Sequence, residues 1–231
     1  MSRWTVADVM TYGAVSVAED TPFKEIVEII ETNGVNAVPV VDRSNRVIGL
    51  ITSADLVPKI EYAGAHDRGH LFEGHKHREA RRKSEATAAA DLMTSPAMTV
   101  LPRTSLIDAT RIMNGGLKRL PVVDELGRLI GMVTRKDMLK VYLRSDADVG
   151  NDIAADVLPN LVGVESWQVR TAVHDGTVTL TGQVDRRSLA TDVVRGIERV
   201  DGVIAVDNQL GYLVDDVDTG AEALRRAPGI P

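Results

Sequence analysis

Hydrophobic and polar positions in the first part of the chain predict a regular order of strands and helices. Two runs rich in valine and isoleucine, 38–41 and 46–51, flank a polar turn, which is typical of adjacent β-strands. Upstream, apolar residues between 23 and 30 recur at three- and four-residue steps, as on the buried face of a helix. An extended run at 15–17 precedes this helix, and another helix is predicted from Thr52. The resulting order is β-α-β-β-α.

The same order returns further along the chain. Apolar residues between 106 and 113 recur at helical steps, and the turn between the two strands falls at 125–127. We expect Thr21 and Thr104 to cap the longer helix of each copy, because a threonine hydroxyl can accept a hydrogen bond from a free amide in the first turn. A unit of this size buries little core alone, so the two copies are predicted to pack against each other.

The pattern changes after residue 145. Apolar residues between 153 and 161 indicate a helix, and alternating positions on both sides of Asp175-Gly176 indicate a hairpin with a type I′ turn. A second helix is predicted over 186–198 and a last strand over 203–210. The order in this part is α-β-β-α-β.

Three short motifs mark a duplication in the first part of the chain. Each motif occurs once in each copy, in the same order, at an offset of 82 or 83 residues. The matching segments are 7–11 with 90–94, 39–42 with 121–124, and 49–55 with 131–137. Duplication is the simplest explanation, and two packed copies can form a pseudo-symmetric cleft of the kind in which ligands bind.

The opening Asp-(Val/Leu)-Met-Thr, the strand Pro-Val-Val-Asp and the junction Gly-x-(Ile/Val)-Thr-x-x-Asp, each present twice, resemble a tandem pair of cystathionine-β-synthase-type (CBS) domains over residues 5–144. This resemblance implies a regulatory module that binds an adenosine-containing ligand and associates as a homodimer. It leaves open which ligand is preferred among AMP, ADP, ATP, NAD and S-adenosylmethionine, and whether one or both sites bind.

The segments 175–182 and 200–203 resemble a BON domain, a family associated with phospholipid or partner binding in bacterial proteins. Together the two resemblances imply an α/β (α+β) chain, in which two β-α-β-β-α CBS-type repeats pack as a pseudo-symmetric pair and a small α-β-β-α-β domain follows. The predicted divisions are a first repeat at 1–61, a polar linker at 62–88, a second repeat at 89–144, a BON-like domain at 145–214 and a flexible tail at 215–231.

Composition and charge remove several classes of function. The 231 residues carry a net charge of −6 and only 3% aromatic residues, which argues against nucleic acid as a partner, because bases need basic and stacking surfaces. The absence of cysteine excludes disulfides, thiolate catalysis and cysteine-ligated zinc. No run approaches the ~18 apolar residues of a membrane-spanning helix, and the amino terminus lacks a long apolar segment, so a cytoplasmic location is expected.

An enzyme is not predicted, because the sequence contains no P-loop, G-x-G-x-x-G, G-x-S-x-G or H-E-x-x-H motif. The leading hypothesis is a sensor whose CBS pair binds an adenine nucleotide as a regulatory ligand, without a required cofactor, and signals through the BON domain to an unidentified protein partner. The alternative is an envelope-associated adaptor in which the CBS pair only dimerises and the BON domain binds phospholipid. Membrane binding is not favoured, because the BON-like segment carries aspartates that anionic lipid repels.

Two Thr-x-x-Asp junctions carry the candidate chemistry. Thr52 with Asp55, and Thr134 with Asp137, each fit a capping box at a helix start. The same helix start offers amides to phosphate, and its carboxylate can accept both hydroxyls of a ribose. The CBS resemblance assigns the ribose to Asp55 and Asp137, and a ribose or phosphate contact to Thr52 and Thr134. The capping and ligand-binding roles do not exclude each other.

The resemblance also implies apolar and backbone contacts to adenine from nearby strands. The strands matched to these walls are 15–17, 37–39, 98–100 and 119–121, and the residues singled out in them are Val17, Val38, Pro39, Val100 and Pro121. Lys118 and Arg119 can meet phosphate charge, whereas their counterparts Asn36 and Ala37 cannot, so unequal sites are expected if that role holds. A solvated strand edge is the alternative role for the two basic residues.

The linker is longer than compact domains usually need. Two of its histidines have the i, i+4 spacing of helical metal ligands, and the candidates are His66, His70, His75 and His77. Three glycines in the same segment oppose a long helix, so a polar linker without a metal is the preferred interpretation. The basic residues at the end of the linker are expected on the solvated face of the next helix; they are Arg78, Arg81, Arg82 and Lys83.

Overall fold

The computed structural model describes residues 4–62, 81–161 and 169–217. The chain forms two compact units, one spanning Trp4–Met138 and the other beginning at Leu139. The first unit contains both copies of the duplicated motifs, and the second contains the hairpin predicted after residue 145. Among the described residues, no helix combines the length and the apolar character needed to cross a membrane.

The first unit consists of two repeats with a common succession of elements. The first repeat contains α1 Val6–Val9, β1 Thr11–Tyr12, β2 Val17–Ala18, α2 Phe23–Asn33, β3 Ala37–Val41, β4 Val47–Thr52, α3 Ser53–Leu56 and α4 Pro58–Glu61. Residues 81–85, here α5, are helical and precede the second repeat. The second repeat contains α6 Ala89–Leu92, α7 Leu106–Asn114, β5 Arg119–Val123, β6 Leu129–Thr134 and α8 Arg135–Met138.

The two sheets of this unit repeat one another in register. β3 pairs antiparallel with β4, and β5 with β6, and both hairpins have an irregularity at the same place, between Val40 and Val41 and between Val122 and Val123. The short strand before each hairpin runs parallel to it, as β2 in the first repeat and as a single bridge at Val100 in the second. The predicted β-α-β-β-α order of each repeat and the mixed α/β class are therefore confirmed.

The opening segment of each repeat pairs with the last strand of the other repeat. β1 lies antiparallel to β6, with Thr11 opposite Met132, so the sheet order is β1-β6-β5. In the equivalent place, Thr94 and Leu50 exchange backbone hydrogen bonds of 3.1 and 2.9 Å. This exchange joins the two sheets, because neither repeat completes its hydrogen bonding without the other.

The pairing between the two repeats explains why each Gly-x-(Ile/Val)-Thr junction has a glycine. A Cβ at Gly131 would collide with the backbone oxygen of Thr11 and lie 2.7 Å from the Met10 methyl group. A Cβ at Gly49 would collide with the Met93 side chain. The opening motif and the junction motif therefore recur together because one packs on the other.

Replacing Gly131 with alanine should lower the free energy of unfolding by about 1–3 kcal/mol, because the backbone of Thr11 cannot move aside without breaking its pairing with β6. Urea unfolding measures this loss. Gly115→Ala is the matched control: an added Cβ there meets its nearest atom at 3.4 Å and the residue has an ordinary φ of −67°, so a change of about 0.5 kcal/mol or less is expected. Equal stability of the two variants would contradict this role of Gly131.

The predicted helix caps are wrong by one residue in both repeats. α2 begins after Pro22, which takes the extended conformation of an N-cap, and not after Thr21. In the second repeat, the Ser105 hydroxyl accepts a hydrogen bond from the Asp108 amide at 3.1 Å, while the Thr104 hydroxyl accepts one from within the preceding turn. Threonine hydroxyls bond local backbone groups in turns as readily as at caps, so spacing alone did not separate the two positions.

The second unit packs helices on a three-stranded sheet. Its elements are a 3₁₀-helix at Leu139–Leu143, α9 Asp146–Asp152, a π-helix at Ile153–Val157, a 3₁₀-helix at Leu158–Asn160, β7 Val169–His174, β8 Thr177–Arg186, α10 Arg187–Ile197 and β9 Ala205–Val214. β7 and β8 form an antiparallel hairpin, and β9 adds parallel to β8. Asp175 and Gly176 have φ of 48° and 71°, as a type I′ turn requires, so the predicted hairpin is confirmed.

The second unit begins at Leu139, ahead of the predicted domain start at residue 145. Arg144 accounts for this grouping, because its guanidinium donates to the backbone oxygen of Asp201 at 2.6 Å and to the carboxylate of Asp152 at 2.8 Å. The predicted domain bounds stay predictions.

The first residues of the predicted flexible tail have defined contacts. The Asp216 carboxylate accepts hydrogen bonds from the Ser188 amide at 2.9 Å and the Ser188 hydroxyl at 2.6 Å, which lowers the pKa of this carboxyl below its ordinary value. Asp215 pairs with Arg187 at 3.0 Å. The tail beyond residue 217 lies outside the described residues.

Candidate functional site

Both Thr-x-x-Asp junctions form the predicted hydrogen bonds. The Asp55 Oδ2 atom accepts from the Thr52 amide and hydroxyl, both at 2.7 Å. The Asp137 Oδ2 atom accepts from the Thr134 amide at 2.8 Å and its hydroxyl at 2.7 Å. Each bond satisfies a group at the junction of a strand and a helix, so the capping role is confirmed in both repeats.

A cavity of about 730 Å³, here called the α8 cavity, lies at the second junction. Residues 13–15 and 33–37 of the first repeat form part of its wall, and Lys118, Arg119 and residues 134–137 of the second repeat form the rest, with Thr11 and Met132. The cavity therefore places the Asp137 carboxylate and four basic side chains around one space. Such a lining matches a ligand with both hydroxyl and anionic groups.

A second cavity, here called the α3 cavity, occupies the pseudo-symmetric position. It has a volume of about 500 Å³ and is lined by Asn36, Leu50, residues 52–54 and residues 116–119. Shifted by 82 residues in the matching direction, each of these positions also lines the α8 cavity. Asp55 does not line the α3 cavity, whereas its counterpart Asp137 lines the α8 cavity.

Lys83 accounts for this difference. Its ammonium group lies 2.5 Å from the Asp55 Oδ1 atom, and the two side chains are only 7% and 13% exposed. Both carboxylate oxygens of Asp55 are therefore engaged within the protein, one by Thr52 and one by Lys83. The prediction that Lys83 lies on a solvated helix face is wrong: one face of α5 packs on the first repeat and carries this lysine inward.

Arg119 lines both cavities and holds an unused donor. Its buried Nε atom has no hydrogen-bond partner among the described residues, and burial lowers the pKa of its guanidinium below the ordinary value. Arginine remains charged at neutral pH, so a buried donor of this kind is well suited to an anionic group. Lys118, next to it, is exposed and lines the same two cavities.

Two further basic residues of the α8 cavity were not predicted. Arg135 donates to the backbone oxygens of Leu117 and Met113 at 2.9 and 2.6 Å, which fixes its side chain across the start of α8. Lys136 also lines the cavity. A signal was present, because the two residues inside the second Thr-x-x-Asp are both basic, whereas Ser53 and Ala54 occupy the first.

Five residues of the strands predicted as adenine walls lie away from both cavities. None of them lines either cavity, and all are buried; they are Val17, Val38, Pro39, Val100 and Pro121. Side chains alternate across a strand, so the neighbours of these residues on the same strands face the cavity. Val15 and Ala37, which belong to the same predicted wall strands, line the α8 cavity, and a contact with adenine stays a prediction.

The metal candidates of the linker lie outside the described residues; they are His66, His70, His75 and His77. Within the described residues, Asp146, His174 and Asp175 come close enough to hold an ion. The Asp146 carboxylate, however, accepts hydrogen bonds from the Gly176 and Asp175 amides at 3.0 and 2.9 Å, which lowers its pKa below the ordinary value. These bonds explain Asp146 as a cap of the hairpin turn.

Family comparisons match this division of the chain. The CBS domain family matches residues 6–62 and 89–144, and the BON domain family matches residues 145–213. This chain is a tandem CBS protein with a BON domain. The predicted resemblance to both families is therefore confirmed, and the two Thr-x-x-Asp junctions lie one in each CBS domain.

Curated relatives share the CBS pair. An uncharacterized protein of Methanopyrus kandleri is 30% identical over 135 residues, a match that covers 58% of this chain and 58% of that protein. The chloroplastic CBS domain-containing protein CBSX2 of Arabidopsis thaliana is 27% identical over 160 residues, covering 64% of this chain and 67% of that protein. The match to the first of these thus spans little more than half of its length.

A solved structure shows the same fold for this part of the chain. The crystal structure of CBSX2 in complex with AMP aligns with a TM-score of 0.53 and 28% identity, covering 61% of this chain and 97% of that one. CBSX2 is thus a CBS-pair relative that binds AMP.

Proposed function

We propose that the CBS pair binds an adenosine-containing ligand in the α8 cavity and that this binding is a regulatory signal. The observation that carries the proposal is the joint lining of the cavity by the Asp137 carboxylate and the partly buried Arg119 guanidinium. The likeness to CBSX2, whose crystal structure contains AMP, supports the class of ligand. The proposed role is that of a non-catalytic sensor.

Each part of the ligand has a matching group in the cavity. The Asp137 carboxylate accepts hydrogen bonds from ribose hydroxyls, and the Thr134 hydroxyl lies beside it. Arg119 and Lys118 supply positive charge for a phosphate. Val15 and Ala37 offer apolar surface to the adenine ring. The carboxylate and the guanidinium together favour a ligand that carries both a ribose and a phosphate over a ligand that carries only one of these groups.

The role of Arg119 predicts a difference between AMP and adenosine. Arg119→Gln removes a charged donor to phosphate, so AMP should bind about 10- to 100-fold more weakly while adenosine affinity stays within about twofold. Titration calorimetry with the two ligands measures this. Arg103→Gln is the matched control, since Arg103 is an exposed arginine paired with Glu125 and lines neither cavity. An equal loss of both ligands in Arg119→Gln would contradict the phosphate role.

The BON domain is proposed to engage a protein partner and to carry the signal of the CBS pair to it. Asp185, Asp192 and Asp207 are exposed on this domain. Anionic lipid would repel these carboxylates, which supports a protein surface as the partner more than a phospholipid. A cytoplasmic location is proposed for the same sensor role.

A homodimer is proposed through the CBS pair. Val57 and Ile60, next to and on α4, are 54% and 77% exposed, and two-fold association would cover such apolar side chains. Static light scattering of the full chain at tens of micromolar should give twice the chain mass. Ile60→Glu should shift the mass towards one chain, whereas Lys24→Glu, at an exposed polar position, should not. A monomeric wild-type chain at this concentration would contradict the proposal.

A further inference from the structure

Asp55 has the same place in the first repeat as Asp137 has in the second, but its surroundings differ. The Lys83 ammonium lies 2.5 Å from Asp55 Oδ1, and Thr52 donates twice to Oδ2. With side chains 13% and 7% exposed, this carboxylate and its lysine are almost fully withdrawn from solvent. Asp55 does not line the α3 cavity, whereas Thr52 does.

A second lysine holds the Lys83 segment in place. Lys59 of α4 donates to the backbone oxygens of Ser84 and Ala86, at 3.1 and 2.7 Å, where α5 ends. Its ammonium group also lies 4.8 Å from the centre of the Phe23 ring. A cation at the carboxyl end of a helix complements the partial negative charge of its free carbonyls. The first repeat and α5 are thus joined by two lysines, one from each side.

We propose that Lys83 occupies the ribose-binding carboxylate of the first CBS domain, so that each chain takes one adenosine-containing ligand, at Asp137. The inference rests on the proposed function, since it concerns which of the two junctions can serve as the site. A ribose at Asp55 would have to displace the Lys83 ammonium and leave it buried without its carboxylate, which is strongly unfavourable. Asp137, in contrast to Asp55, lines the cavity at its own junction.

Equilibrium dialysis of the full chain against AMP tests the number and the place of the sites. The wild-type chain should bind one AMP per chain at saturation. Asp55→Asn should leave the AMP dissociation constant within about twofold of wild type, because Asp55 takes no part in binding. Lys83→Ala should add a second, weaker AMP per chain by exposing Asp55, and Lys24→Ala, an exposed lysine, should not.

Each outcome decides the inference. Two AMP molecules per wild-type chain would overturn it, as would an Asp55→Asn variant that loses AMP affinity while keeping its fold. A folded Lys83→Ala chain that still binds one AMP would show that Lys83 is not what closes the first site. If Lys83→Ala does not fold, the wild-type stoichiometry and the Asp55→Asn affinity decide. A wild-type chain that binds no AMP contradicts the proposed function itself, a result distinct from a stoichiometry of two.

Discussion

Replacing Asp137 with asparagine is expected to weaken AMP binding about 10- to 100-fold, which corresponds to about 1.5–3 kcal/mol. The reason is chemical: an ionised carboxylate accepts hydrogen bonds from both ribose hydroxyls, whereas an amide offers one oxygen and carries no charge. Asp137 lines the α8 cavity together with Thr134, so the change acts at the proposed ribose position. Titration calorimetry with AMP on the full chain measures it.

The control for this experiment must separate ligand binding from helix capping, because Asp137 also caps α8. Asp8→Asn provides it. The Asp8 carboxylate accepts from the Thr5 amide and hydroxyl at 2.7 and 2.8 Å, the same pair of bonds, but Asp8 lines neither cavity. Loss of one such cap costs about 1 kcal/mol of stability and should leave AMP affinity unchanged. If both variants bind AMP as wild type does, Asp137 is only a cap.

The duplicated motifs predicted the larger part of the fold, for a reason visible in the structure. The opening motif and the glycine of the junction motif recur together because Met10 packs near Gly131 and Met93 near Gly49. A contact between two motifs constrains the residues of both, and the duplication shows this constraint twice in the sequence. The strand and helix order of each repeat followed from apolar spacing, since each sheet and each long helix buries one face.

The sequence indicated the residues around the candidate site more sharply for its polar part than for its apolar part. Thr134, Asp137, Lys118 and Arg119 line one cavity, the residues to which the CBS resemblance and the basic residue types assigned ligand contacts, and those contacts stay predictions. The predicted wall strands contain both Ala37, which lines the cavity, and Val38, which faces the core, because neighbours on a strand point to opposite faces and sequence alone did not tell which face meets the cavity.

The burial of Asp55 in an ion pair could not be predicted from the local sequence. Its partner Lys83 lies 28 positions away, in a stretch of basic residues that is ordinary for a solvated helix. Only the packing of α5 on the first repeat brings the two together. The two junctions share their threonine and aspartate in sequence, yet tertiary contact gives the two aspartates different surroundings. This difference has a consequence for stability as well as for binding.

Lys83→Met is expected to lower the free energy of unfolding of the first unit by about 3–5 kcal/mol. Methionine keeps most of the volume of the buried lysine stem but leaves the Asp55 carboxylate without its cation in a site that is 13% exposed. Urea unfolding followed by circular dichroism, with separate transitions fitted for the two units, measures the loss.

A matched control and a double variant test whether the loss of stability comes from the Asp55 carboxylate left without its cation. Lys24→Met removes an exposed lysine that pairs with Glu28 at 3.8 Å, and such a surface pair contributes only about 0–1 kcal/mol. Adding Asp55→Asn to Lys83→Met should recover part of the loss, since the isolated buried charge is then gone, so the two changes are not additive. A Lys83→Met chain as stable as Lys24→Met would show that the buried ion pair does not help to hold α5 on the first repeat. The absence of Asp55 from the lining of the α3 cavity would then need another cause.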